Sequence, residues 1–170
     1  DINLGEIDFD IPKTSNLEIK KRLNKTILIL SSDSGSSYLK SDGTALDKIS
    51  AEMAMLLVKQ NTTLTPIEAE EITSSKKGSE YRGRALPLMK VKSKNEQDKL
   101  INVYLNVYSG EVTAIRSMQW KIWDLMWGFH IMDWQERDNI DNLFLKIFSI
   151  LALVSSITGI LLFFKIDFKK

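Results

Sequence analysis

Leu100-Ile101-Asn102-Val103-Tyr104-Leu105-Asn106-Val107-Tyr108, followed by Ser109-Gly110-Glu111-Val112, is the stretch that decides the fold. Ile101, Val103, Leu105 and Val107 alternate with Tyr104, Asn106 and Tyr108, and a period of two sends the two sets to opposite faces of a strand. Ser109-Gly110 supplies turn residues, and Glu111 to Ile115 can return as the partner strand.

Upstream, Asn95 to Asp98 reads as a turn. Tyr81 to Lys92 reads as a strand through Met89-Lys90-Val91-Lys92, with Pro87 predicting an edge position or a bulge. Lys76-Lys77-Gly78 is a further turn, and Glu68 to Ser74 a weak, polar strand candidate. Before these, Leu46, Ile49, Met53, Leu56 and Leu57 recur at helical spacing. Thr44 is the expected N-cap, with Asp47 three residues on as a weak capping box, and the helix is predicted over Ala45 to Gln60. Lys25 to Leu30 and Ser36 to Lys40 are predicted to form a hairpin through Asp33-Ser34-Gly35, with Asp42-Gly43 as the next turn. Asp1 to Leu23 is polar, contains Pro12 and shows no sustained period, so a surface extension or linker is expected. The expected class is α+β, with one helix packed on a curved antiparallel sheet over residues 24–118.

Val103 to Val112 resembles the signature of PepSY domains, in which a strand runs into an aspartate-x-threonine-glycine-glutamate turn and back. Asn106 or Val107 stands where that family often has an acid, and Ser109 replaces the threonine. The order of helix, strands and hairpin is similar too. The resemblance continues through Trp123-Asp124-Leu125-Met126-Trp127-Gly128-Phe129-His130-Ile131-Met132-Asp133 into the apolar C-terminus, covering roughly residues 44 to 165. It implies a small cystatin-like module of the bacterial envelope, without catalytic residues, of a kind associated with regulating or inhibiting peptidases. Related membrane proteins are tied to iron uptake and reduction. Haem-carrying members use histidines from several membrane helices, whereas this chain offers one span and the single His130, so that part of the resemblance does not carry over.

Trp120, Trp123, Trp127 and Trp134 follow at spacings of three, four and seven, and on one helix would occupy an arc of about 60°. Lys121, Asp124 and Gly128 leave only a narrow polar strip. All four tryptophans of the chain adjoin the C-terminal apolar segment, as an aromatic belt would, so residues 119–140 are expected to lie in the membrane interface and to serve for docking. Trp clusters also make protein-binding hot spots, and the two roles are compatible. His130 is a conceivable axial ligand to a tetrapyrrole or metal only if a partner chain supplies the others; packing is its expected role, and no cofactor is expected.

From Ile147 to Phe164 no residue is charged, and Leu143, Phe144 and Leu145 extend the run beyond Lys146. About 22 residues at ~1.5 Å each span roughly 33 Å, enough to cross the hydrocarbon core. A buried core helix of that length would show a polar stripe, which is absent here. Residues 141–170 are therefore expected to form a single membrane anchor with a short tail. Lys165, Lys169 and Lys170 follow the span, while Glu136, Asp138 and Asp141 precede it around Arg137. The positive-inside rule then puts the C-terminus in the cytoplasm of a bacterial inner membrane and the main domain outside it. Ser149, Ala152, Ser156 and Gly159 make a stripe of small residues on which a second membrane helix could pack, from this protein's own N-terminal side or from another subunit.

Charge is balanced at +1, with 23 basic and 22 acidic residues, which argues against a nucleic-acid role. Absence of cysteine excludes disulfides, thiol catalysis and cysteine-held metal. Asp1 rather than Met opens the sequence, and the expectation is a removed targeting segment or a longer parent chain. A hydrolase needs a nucleophile, a base and an orienting group. The lone histidine lies in an apolar segment, no serine sits in a nucleophile elbow, and Glu68, Glu70 and Glu71 read as a solvated acidic patch. The expected function is a non-catalytic interaction module, an accessory or regulatory subunit of a larger membrane complex. The alternatives are a component of a membrane redox or iron-handling system with His130 near a cofactor, and a regulator or inhibitor of an envelope peptidase. Expected partners are lipid and other membrane subunits.

Overall fold

A computed structural model describes residues 16–33 and 35–167 of the chain, which divides between Met118 and Gln119 into two units. The expected extension before Asn16, Ser34 of the predicted turn, and the flanking Lys169 and Lys170 lie outside the described residues. The fold is α+β. The elements are β1 (Asn16–Arg22), β2 (Lys25–Ser32), β3 (Gly35–Lys40), α1 (Ala51–Asn61), β4 (Thr65–Ile72), β5 (Leu88–Lys94), β6 (Leu100–Asn106), β7 (Val112–Arg116), α2 (Met118–His130) and α3 (Leu143–Asp167).

In the first unit, β4 to β7 form an antiparallel sheet in sequence order, and β1 to β3 form a second, three-stranded one. The alternation along β6 sorts as its pattern predicts. Val103 and Leu105, with Val107 just beyond, pack with Met89 and Val91 against Ala54, Leu57 and Val58 of α1. Tyr104 points the other way, into a smaller cluster with Leu88 and Ala114. Both faces of β6 are thus covered, which explains why this strand is the most regular in the sequence.

Three expectations are corrected. The first concerns Asn16 to Leu23, expected to be linker: Asn16–Arg22 is a strand paired along its length with β2, from Asn16↔Ser31 to Arg22↔Lys25. Leu23 takes a positive φ of 55° in the tight connection, a conformation that leucine side chains do not advertise. β1 is an edge strand with mostly exposed or half-exposed residues, so its polarity hides its pairing.

The second is the helix start. The N-cap is Ser50, whose hydroxyl accepts from the Met53 N–H, rather than Thr44. Residues before it are extended: the Leu46 N–H donates to the Tyr38 carbonyl and the Ile49 N–H to that of Val107. Leu46 and Ile49 are buried as their spacing suggested, but long-range backbone pairing outcompetes the first helical turn.

The third is Pro87. β5 lies between β4 and β6 rather than at an edge, and its ladder begins at Leu88. A residue without an N–H is accommodated by stopping the strand just after it.

Ties between the two sheets run through side chains. Arg22 donates to the Tyr108 carbonyl at 2.7 Å and the Asp47 carbonyl at 3.0 Å. Tyr38 and Tyr108 stack with centroids 5.1 Å apart. The Asn106 amide nitrogen donates to the Tyr38 hydroxyl, while its oxygen accepts from the Tyr108 and Ser109 N–H groups and so shapes the β6–β7 turn.

Candidate functional site

In the second unit, burial along α2 is inverted relative to a soluble helix. Asp124 is 1% exposed and Gly128 is also buried, whereas Trp123 is 59%, Met126 54% and Phe129 53% exposed. Asp124 and Gly128 of the narrow polar strip therefore face inward, while Lys121 stays exposed and the aromatic arc faces outward. The segment from Ile131 to Asn142 explains why: it folds back as an elbow over the strip. Arg137 donates to the Asp124 carboxylate at 2.8 Å. A Cβ on Gly128 would meet the Arg137 Cγ at 2.9 Å and the Asp133 carbonyl oxygen at 3.0 Å, so only glycine lets the elbow approach this closely.

Two acceptor side chains organise the elbow. The Asp133 carboxylate accepts from the N–H groups of Glu136, Asp138 and Asn139. Burial would raise its pKa, but these backbone donors outweigh that and hold the carboxyl below the usual range. Asn142 caps α3 by accepting from the Leu145 N–H at 2.9 Å, and its amide donates to the Ile131 and Asn139 carbonyls. Lys146, at the head of α3, pairs with Asp141 at 2.5 Å.

α3 is apolar and exposed along the whole candidate span Leu143–Lys165, with mean hydropathy 2.5 and none of it buried. Three of its hydroxyls are satisfied within the helix. Ser149 donates to the Leu145 carbonyl, Ser156 to that of Ala152, and Thr158 to that of Val154. These three hydroxyls would therefore stay paired in an apolar medium. Nothing packs within 4 Å of where a Gly159 Cβ would stand.

The tryptophan set is split by the structure. Trp123 and Trp127 stack at 6.1 Å with planes 9° apart, and the His130 ring is 5.8 Å from Trp127. Trp120 is half-buried on the same helix. Trp134 is not on that helix, which ends at His130. It sits in the elbow between Phe129 and Phe144, at 6.3 and 5.7 Å. The expected single arc of four is thus three helical tryptophans plus one wedged between α2 and α3.

In the first unit, Glu68, Glu70 and Glu71 are not an unpartnered patch. Glu68 pairs with Lys92, Glu70 with Lys90 at 2.7 Å, and Glu71 with Lys48 at 2.5 Å. The Lys90 ammonium lowers the Glu70 pKa. The first two are directly opposed across β4 and β5, exposed pairs that water screens and that contribute little. Glu80 accepts from the Tyr104 hydroxyl at 3.0 Å and the Asn102 amide at 2.8 Å. Burial, with that carboxylate beside it, pushes the Tyr104 hydroxyl well above its usual pKa. Among the described residues, no group of three histidine, cysteine or acidic side chains is placed to hold a metal ion.

The residues missed from sequence are Arg137, Asp133 and Asn142. Asn142, directly before the apolar run, is a readable N-cap signal. Arg137 is separated from Asp124 by a spacing that fits no helical period, and its role emerges only with the fold of the elbow. Compared with known proteins, the chain matches no family model, no curated protein and no solved structure.

Proposed function

We propose that this chain is a non-catalytic, membrane-anchored interaction module of PepSY type, an accessory or regulatory subunit of a larger bacterial membrane complex. α3 crosses the inner membrane with its C-terminus in the cytoplasm, α2 lies in the interface, and the α+β unit works outside. The observation that carries the reading is the inverted burial of the second unit. Asp124 is turned in against Arg137 while Trp123, Phe129 and every turn of α3 are turned out. An outward apolar surface this continuous is stable against hydrocarbon or another protein, and not against water. Lys165 after the span and the acidic residues around the elbow favour the orientation. The helix, strands and hairpin over Ala51 to Arg116, with the Ser109-Gly110-Glu111 turn, favour the family reading.

Extraction of native membranes with alkaline carbonate, then purification in mild detergent with mass spectrometry of co-purifying chains, tests both parts. Retention in the carbonate pellet together with a stoichiometric partner is expected. Release by carbonate removes the anchor, and a lone monomer removes the subunit role.

A further inference from the structure

Beyond the anchor, the first unit carries a basic cluster on the face of the four-stranded sheet away from α1, over Tyr104 and Ala114 and beside the end of β7. The segment Lys76 to Arg84 contains Lys76, Lys77, Arg82 and Arg84 against the single acid Glu80. Short backbone turns shape it, with Ser79 N–H donating to the Lys76 carbonyl, Arg82 to Ser79 and Arg84 to Tyr81. Arg116, at the end of β7, is held to the same segment by its Nε–H, which donates to the Glu80 carbonyl at 3.0 Å. Arg82 reaches the Ser79 carbonyl at 3.4 Å. Arg84 is exposed and Arg82 and Arg116 half-exposed. Burial, and then the nearby Arg84 and Arg82 guanidiniums, lower the Arg116 pKa, with the Glu80 carboxylate partly opposing them.

Guanidiniums gathered around the single carboxylate of Glu80 keep donors for a ligand that brings concentrated negative charge and several acceptor oxygens. The chain itself indicates which ligand. Arg116 precedes Met118, the first residue of α2, by two positions, a path of no more than about 7 Å. With α2 in the headgroup layer, Arg116 is at the level of lipid phosphates by covalent continuity alone. The geometry points to Arg82, Arg84 and Arg116 as a docking site for anionic phospholipid headgroups. This rests on the anchored reading above. It adds a lipid preference that an apolar anchor by itself does not confer.

The test uses the full chain in nanodiscs of phosphatidylcholine, with or without phosphatidylglycerol, and amide hydrogen exchange of the segment Lys76 to Arg84. Anionic lipid should slow exchange there, and Arg82→Gln/Arg84→Gln should abolish the difference while leaving exchange in β6 unchanged. In competition for bound lipid, the same variant should lose roughly five- to thirty-fold of its preference for phosphatidylglycerol, at about fivefold per cation near an anionic surface. Raised salt should weaken the preference in the unaltered chain. Equal exchange in both lipids, a preference that survives the double substitution, or the same slowing by inorganic phosphate alone would each overturn the proposal. Slowing that needs a co-purified protein and no anionic lipid would overturn it as well. Failure to enter nanodiscs at all would instead remove the anchor reading, so the two failures are distinguishable.

Discussion

Gly110→Ala in the β6–β7 turn should destabilise the first unit far more than the same change at another positive-φ glycine. Gly110 has φ +75°, and a Cβ there would lie 2.6 Å from the Leu57 Cδ1. A left-handed alanine costs about 1–2 kcal/mol, partly offset by about 0.4–1 kcal/mol from the stiffer unfolded chain. The contact is about 1 Å shorter than an ordinary carbon–carbon approach. Leu57 is 3% exposed inside the main core, so its methyl can yield only by disturbing Val58 and the β5–β6 face. Overpacking of that kind costs about 1–3 kcal/mol, which brings the total to about 2–4 kcal/mol. Gly83 supplies the control, since its φ is +71° and nothing lies within 4 Å of its Cβ position. Gly83→Ala should therefore cost about 1 kcal/mol or less.

Every tryptophan lies in α2 or the elbow, so tryptophan fluorescence does not report on this unit. Amide exchange in β5 and β6 reads it directly. Where reclosing outruns exchange, Gly110→Ala should speed the slowest amides by roughly 30- to 1000-fold and Gly83→Ala by only a few-fold, at about 1.4 kcal/mol per decade. Adding Leu57→Ala to Gly110→Ala should cost about 1–3 kcal/mol less than the sum of the single changes, because the clash is then absent. Indistinguishable exchange in Gly110→Ala and Gly83→Ala would refute the packing of this turn onto α1.

In the elbow, Gly128→Ala should cost about 1–3 kcal/mol by pushing the Asp133 carbonyl and Arg137 off α2. Faster exchange over residues 131–142, with β6 unchanged, is the expected signature. Arg137→Ala should open the same segment, since Asp124 would remain an inward-facing carboxylate without that partner. Asp133 makes the elbow acid-sensitive. Its folded pKa is depressed, so its contribution is fully present above the ordinary carboxylate value of about 4 and is lost as pH falls through the lower folded value. Tryptophan emission should report the loosening of Trp134, and Asp133→Asn should remove the acid transition while weakening the elbow at neutral pH. At the alkaline end Tyr104 has a raised folded pKa, so its contribution is complete below about pH 10 and lost as pH rises toward the folded value. Tyr104→Phe should flatten that loss in exchange measurements on β6.

Much of this molecule was legible from periodicity. The alternation Val103, Leu105, Val107 against Tyr104 predicted the strand β6, and the uncharged run from Ile147 to Phe164 predicted the apolar helix α3. Turn chemistry marked Lys76-Lys77-Gly78, Asn95 to Asp98 and Ser109-Gly110. The misreadings share a cause. β1 is held by pairing with β2 and by Arg22 reaching the Tyr108 and Asp47 carbonyls, partners that no local pattern encodes. Residues 45–49 have a helical apolar spacing, yet the carbonyls of Tyr38 and Val107 claim their N–H groups.

Residue order alone was enough for the class of each long element, because solvent sorts side chains at the period of the backbone that carries them, without reference to anything distant. The direction in which α2 faces was beyond its reach. Lys121, Asp124 and Gly128 look like a solvated strip on a helical wheel; Lys121 is exposed, and only the elbow, with Arg137 on the Asp124 carboxylate and the Asp133 carbonyl over Gly128, turns the other two inward. A buried charge settles where its counter-charge is delivered, and that delivery is a property of the folded chain.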